Sequence, residues 1–230
     1  MQETSYQYNQ FDLSRLLHEL HANPPKEIDL ESMGGKNSIV TKYMLARAGL
    51  LHRALELAIS ADKSIENRQM VSSSLLIRAL FETVSVFGYM YNKIIDFNKS
   101  KDIKQFNDDI TKVLYGTRDG STDYVSINIL SMIDKIDKEY PNYRTTYNRL
   151  SEYAHPNFTG ASLLYSNLQK DTQDTRVEYN DISSDDMIHK NINDLCLCID
   201  RLKYFILQTS EIIEELVIIE DNLNENKEEE

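Results

Sequence analysis

Glycine and proline are scarce in this chain, 7 and 4 among 230 residues. An all-β design needs many more turn residues, so the shortage excludes one and leaves long helices, in keeping with stretches rich in Leu, Ile, Glu and Lys. Cysteine is scarcer still. Cys196 and Cys198 are two apart in a helical pattern, where side chains face different ways. Neither a disulfide nor a shared metal is expected, and both read as small core hydrophobes. Basic residues are outnumbered, 25 Lys and Arg against 37 Asp and Glu, for a net charge of -12. That balance excludes wholesale wrapping by nucleic acid and leaves room only for a local basic pocket. No run approaches the ~18 consecutive apolar residues of a membrane span. Residues 1–10 have neither a basic start nor an apolar run, so a cytoplasmic, reducing setting is the expectation, without a membrane partner.

What is present is ordinary globular usage, 41% hydrophobic and 27% charged, in a length that buries a sizeable core. Residues 1–37 read as a short amphipathic helix (11–22, with Phe11, Leu13, Leu16, Leu17 and Leu20) and a linker. Its His18 and His21 lack the four-residue spacing of a zinc-protease helix, and near a helix C-terminus two solvated imidazoles are the plainer account. Gly34-Gly35-Lys36 is not a phosphate loop, since Asn37 and Leu30 stand where Ser/Thr and the first glycine belong. Residues 38–221 read as a helical bundle domain, with helices over 38–61, 68–97, 101–115, 124–140, the stretch after Pro141 and 185–221. A hairpin or irregular arm is expected around 170–175, and 222–230 reads as an acidic disordered tail. The fold class is therefore all-α, a bundle of five or six main helices with a small insertion. The helix over 68–97 is apolar around its whole circumference near Leu75–Phe87, which places it at the centre. On it, Arg78 and Glu82 sit four apart and need polar partners. They form an internal salt bridge that fixes packing, or they support a polar site.

The densest chemistry lies over residues 147–157. Tyr147, Arg149, Ser151, Glu152, His155 and Asn157 gather at a helix end that Pro156 stops, because the residue before proline is pushed out of the α region. Arg149, Glu152 and His155 are at i, i+3 and i+6, so neighbouring pairs share a face. This is the only comparably polar helix end, so Arg78 or Glu82 is expected within hydrogen-bonding reach of it.

Two stretches resemble the all-helical HEPN superfamily (higher eukaryote and prokaryote nucleotide-binding domains), and more narrowly a group of bacterial helical proteins with a two-part signature. One is Arg78-x-x-x-Glu82 on a long apolar helix. The other is Tyr147-x-x-Leu150-Ser151-x-x-x-His155-Pro156, in which the Arg149 and His155 spacing falls within the superfamily's Arg-x(4 to 6)-His ribonuclease motif. The resemblance implies a bundle that dimerises and brings two motif copies together, cutting RNA without metal or cofactor. His155 would then be the acid–base residue and Arg149 the phosphate holder, with Arg78, Glu82, Tyr147, Ser151, Glu152 and Asn157 in support. The chemistry is sound: imidazole titrates near neutrality, and guanidinium offers permanent charge with paired donors. Leu150 departs from the pattern, since active members commonly carry a polar residue after the arginine. Glu152 lies one turn from both Arg149 and His155, where it would favour an imidazolium or cancel the arginine's charge.

Three functions fit these residues. One is a metal-independent ribonuclease or toxin-like effector in bacterial defence or stress. The second is a non-catalytic dimeric module binding a nucleotide, RNA or protein partner through the same groove. The third is a structural dimerisation module whose motif is buried and satisfied.

Overall fold

The hydrophobic periodicities become helices in the computed structural model, which describes residues 7–35, 38–163, 165–169, 176–179 and 185–228. The described residues form α1 (Gln10–His21), α2 (Ile39–Glu66), α3 (Met70–Ser100), α4 (Ile103–Tyr115), α5 (Ile129–Glu139), α6 (Tyr143–Ala154) and α7 (Asp185–Glu228). A π-helical turn, Phe158–Leu163, follows α6, and β1 (Ser166–Gln169) pairs antiparallel with β2 (Arg176–Tyr179) as a small arm. The chain is all-α in its architecture. Lys36 and Asn37 beside the glycine pair, the arm's 170–175 connection and residues 1–6 and 229–230 lie outside the described residues.

Local chemistry sets the ends. Asn9 accepts from the amides of Phe11 and Asp12 while Asp12 accepts from the Asn9 amide, a reciprocal cap that opens α1. Ser38 caps α2 locally, accepting from the Thr41 amide (3.2 Å), and a second acceptor comes from far along the chain. The Glu220 carboxylate of α7 accepts from Ser38 Oγ (2.7 Å) and from the amides of Ile39 (2.9 Å) and Val40 (3.2 Å), three groups at the start of α2.

α3 occupies the centre, packed against α2, α4, α5, α6 and α7. It is long and apolar enough to cross a membrane by length and composition, and its enclosure by five helices accounts for that character. Around its first half, Ile77, Leu80, Phe81 and Val84 meet α1 leucines, Tyr147 and Leu150 of α6, and Leu195, Ile199 and Leu202 of α7. Around its second half, Met90, Ile94 and Phe97 meet Tyr43, Phe106, Ile110 and Leu216. Cys196 and Cys198 are buried, and burial pushes both thiols up, Cys196 to about 12.

Several features differ from the sequence expectation; α2, for one, runs to Glu66 rather than ending near residue 61. α5 begins at Ile129 rather than near Tyr124, because the Tyr124 carbonyl accepts from the Thr117 amide (2.9 Å) and Asn128 caps Leu130 and Ser131. The segment after Pro156, read as irregular, contains the π-helical turn. There Gly160 is required by crowding, since a Cβ would stand 2.0 Å from the His155 carbonyl oxygen. α7 runs past Asp221 to Glu228, as its glycine- and proline-free sequence allows. Phe11, counted with the apolar face of α1, is 77% exposed.

Candidate functional site

α6 carries chemistry on two opposite sides. Tyr147 and Ser151 are four residues apart and share one face, whereas Arg149, two residues from each, points the other way. Leu150, wholly buried, anchors the helix between them.

The face toward α3 closes a polar network. Arg78 donates from Nε to Ser151 Oγ (3.0 Å) and from Nη2 to the Tyr147 hydroxyl (3.1 Å), and the Tyr147 hydroxyl donates to Glu82 Oε1 (2.8 Å). Arg78 and Glu82 also pair directly at 3.4 Å, and the guanidinium lies 5.3 Å from the Tyr147 ring centroid. Ser151 Oγ donates onward to the Tyr147 carbonyl (2.9 Å). Arg78 and Glu82 thus reach the 147–157 stretch, as their isolation on an apolar helix predicts. Their side chains are 34% and 31% exposed, so each charge keeps part of its hydration and the pair's net stabilisation is small.

On the other side, Arg149 Nη2 donates to Asp194 Oδ2 of α7 in a charge-assisted bond. Arg149 Nη1 is buried and has no hydrogen-bond acceptor among the described residues. Arg149 and Asp194 line a cleft of about 570 Å³, bordered on α7 by His189, Lys190 and Asn193 and closed by residues ahead of α1, including Tyr8. The Tyr8 amide donates to Asn193 Oδ1 (3.3 Å), which holds that edge in place. Lys190 pairs with Asp186 at 2.6 Å in an exposed i, i+4 contact on the same rim. Burial raises the Asp194 carboxyl to about 6, with Arg149 opposing the shift; desolvation outweighs the ion pair because Asp194 is only 4% exposed.

His155 is placed elsewhere. It is the exposed residue after α6, in extended conformation, its amide donating to the Glu152 carbonyl at 3.4 Å. It is not among the residues lining the Arg149 cleft, and its side chain makes no hydrogen bond among the described residues. Glu152, expected beside Arg149 or His155, instead accepts from Asn157 Nδ2 (2.7 Å). Asn157 Oδ1 accepts from the Gly160 amide (2.9 Å), which ties the post-helix segment back. The carboxylate that neutralises Arg149 is therefore Asp194, from a helix 45 residues downstream. The structure joins Arg78, Glu82, Tyr147 and Ser151 in one cluster, Glu152 and Asn157 in a second, and Arg149 with Asp194 in a third.

Asp194, His189 and Lys190 escaped the sequence reading. A signal for the first existed: Asn191 and Asp194 interrupt the apolar stripe of Ile188, Ile192, Leu195 and Ile199, and both are buried. Asn191 Nδ2 is satisfied by Ser73 Oγ (2.8 Å), whereas Asp194 needs a cation. His189 and Lys190 lie on the solvated side and carry no such mark.

Compared with known proteins, the chain matches no family model, no curated sequence and no solved structure. The resemblance to HEPN proteins rests on the two signature stretches alone.

Proposed function

We propose that the chain is a HEPN-like helical protein that holds a phosphate-bearing ligand, a nucleotide or RNA, beside Arg149, as a dimeric binding module rather than a nuclease. One observation carries this reading: the Arg149 side chain, 32% exposed, shares its cleft with Lys190 and His189. Its Nη1 lacks an acceptor among the described residues. A guanidinium presents five donors in a planar fork suited to phosphate oxygens, and Lys190 adds a second charge. Cleavage needs more. The imidazole that moves the proton must come within about 3 Å of the reacting oxygen, and His155 does not line this cleft.

A metal-independent ribonuclease, acting as a toxin-like effector in bacterial defence or stress, is the second reading. It is favoured by the exposed His155, whose imidazole is uncommitted among the described residues, because a second subunit could carry that ring to Arg149. The deciding experiment incubates the purified protein with mixed RNA and with mononucleotides in EDTA, measuring binding and cleavage together. The expected result is binding without cleavage, weakened about tenfold or more in Arg149→Ala and unchanged in His155→Ala, the fold being verified by circular dichroism. Cleavage leaving cyclic phosphate ends that vanishes in both variants would select the ribonuclease. Neither binding nor cleavage would select the structural dimerisation module.

A further inference from the structure

Arg149 already has an anionic partner, and the position of that partner describes the ligand. Asp194 is nearly out of water, held by one guanidinium nitrogen in a cleft whose size falls within the ~300–1,000 Å³ of small-molecule sites. A carboxylate so placed occupies the position of an anion. Resting on the function proposed above, we propose that Asp194 is a resident counter-ion that a compact phosphomonoester displaces from Arg149, with Lys190 and His189 of α7 completing the site.

Three features support a single compact dianion over a polyanionic strand. First, the basic groups are few and local: Arg149 from α6, with Lys190 and His189 from one turn of α7. The two charges of Arg149 and Lys190 match a phosphate of two negative charges. Second, the rim is acidic, because Asp186 lines it, Asp185 precedes it, and the whole chain carries -12. The neighbouring phosphates of a bound strand would meet carboxylates. Third, Lys190 is free to change partner. Its contact with Asp186 joins side chains 54% and 72% exposed, an arrangement of little net strength.

Displacement carries a proton. A buried Asp194 deprived of Arg149 is an uncompensated charge, and its carboxyl already stands near 6 through burial. Binding therefore favours protonated Asp194. Of the other groups around the cleft, Arg149, Lys190 and His189 are the basic ones, Tyr8 is pushed up to about 12, and Asp186 is exposed. Affinity for the dianion, corrected for the ligand's own protonation, should tighten as pH falls from about 8 toward 7 by up to about tenfold for the one proton taken up.

The test is calorimetric titration of the full chain with inorganic phosphate and with RNA oligomers bearing either a 5′-phosphate or a 5′-hydroxyl. Asp194→Asn keeps the shape of the side chain and removes its charge. It is expected to bind phosphate about tenfold tighter at about pH 8 and to lose most of the pH dependence. Lys190→Ala and His189→Ala, both at exposed positions, are expected to weaken phosphate binding by about threefold or more without altering the melting temperature. If the 5′-phosphorylated oligomer binds as tightly as phosphate itself, the site takes a strand end; if much more weakly, it takes a free small molecule. Either result requires the phosphomonoester chemistry. Asp194→Asn binding no tighter than wild type, or dianion affinity rising with pH, would overturn the proposal. RNA with a 5′-hydroxyl binding through Arg149 while phosphate neither binds nor competes would overturn it and leave the broader function standing. Failure of every phosphate-bearing probe would remove both.

Discussion

Asp194 is a carboxylate that folding has taken almost out of water, and its energetics follow from that before any ligand is considered. Its pKa in the folded chain, about 6, stands above the ordinary value of 3.8. The folded state therefore binds this proton more tightly than the unfolded state. The charged form lowers stability above about pH 6, and the penalty is relieved as pH falls through 6 toward 3.8. Asp194→Asn should accordingly unfold at higher urea than wild type at neutral pH, the gap closing in acid; a wild-type advantage at neutral pH would contradict the account. Arg149→Ala leaves the charge with no partner, and urea unfolding should show a loss of about 1–3 kcal/mol, below the full cost of breaking a buried pair because the arginine is part-exposed. Tyr147→Phe removes one hydroxyl that both donates to Glu82 and accepts from Arg78, and about 1 kcal/mol should be lost. These residues differ in how visible they were. Arg78 and Glu82 stand out on an apolar helix and demand partners, so their link to the 147–157 stretch could be read from spacing. Asp194 sits beside Leu195 and Ile199 in a stripe whose apolar majority hides it, and its partner is set by how α6 and α7 cross.

At the scale of elements, the helices were legible because burial of one face is periodic, while their ends were less so. Asn9 and Asp12 cap α1 locally, a signal that the reading of a helix from Phe11 left unused. The start of α2 at Ser38 was legible, since Ser38 accepts from the Thr41 amide; what no spacing shows is the added acceptor Glu220, 181 residues away from Ile39. The 116–128 loop is likewise organised across its own length by Thr117 and Tyr124, which no periodicity encodes. Glu220→Ala strips the carboxylate from three donors, and a loss of about 1–2 kcal/mol in thermal unfolding is expected, with faster hydrogen exchange at Ile39 and Val40. Exchange protection unchanged at those amides would show that Ser38 suffices as the cap. The end of α6 has a different logic. Gly160 passes so close to the His155 carbonyl that any Cβ forces backbone movement, so Gly160→Ala should cost more than about 2 kcal/mol and loosen the Glu152–Asn157 contact.

For the whole molecule, the open question of assembly turns on what α7 leaves uncovered. Its inner side fills the core with Leu195, Ile199, Leu202 and Phe205, so that part of its apolar stripe is spent on the chain's own bundle. Its outer side still exposes Leu207 at 66% and Ile218 at 61%, with Tyr204 and Val217 partly exposed beside them. Leu207 and Ile218 are separated by close to three helical turns and so share one line along the helix. Paired with a second copy, that line would bury four large side chains, a contribution on the order of several kcal/mol at about 25 cal/mol per Å². Opposing it, each copy brings a charge of -12, and like charges at the seam are screened by salt. The expectation is a C2 homodimer whose association tightens as ionic strength rises, the reverse of an assembly held by ion pairs. Light scattering at micromolar protein across a salt series reads it directly. Leu207→Glu combined with Ile218→Glu should return a monomer with unchanged helicity. A wild-type monomer at every salt concentration would confine both the cleft and the 147–157 stretch to a single chain.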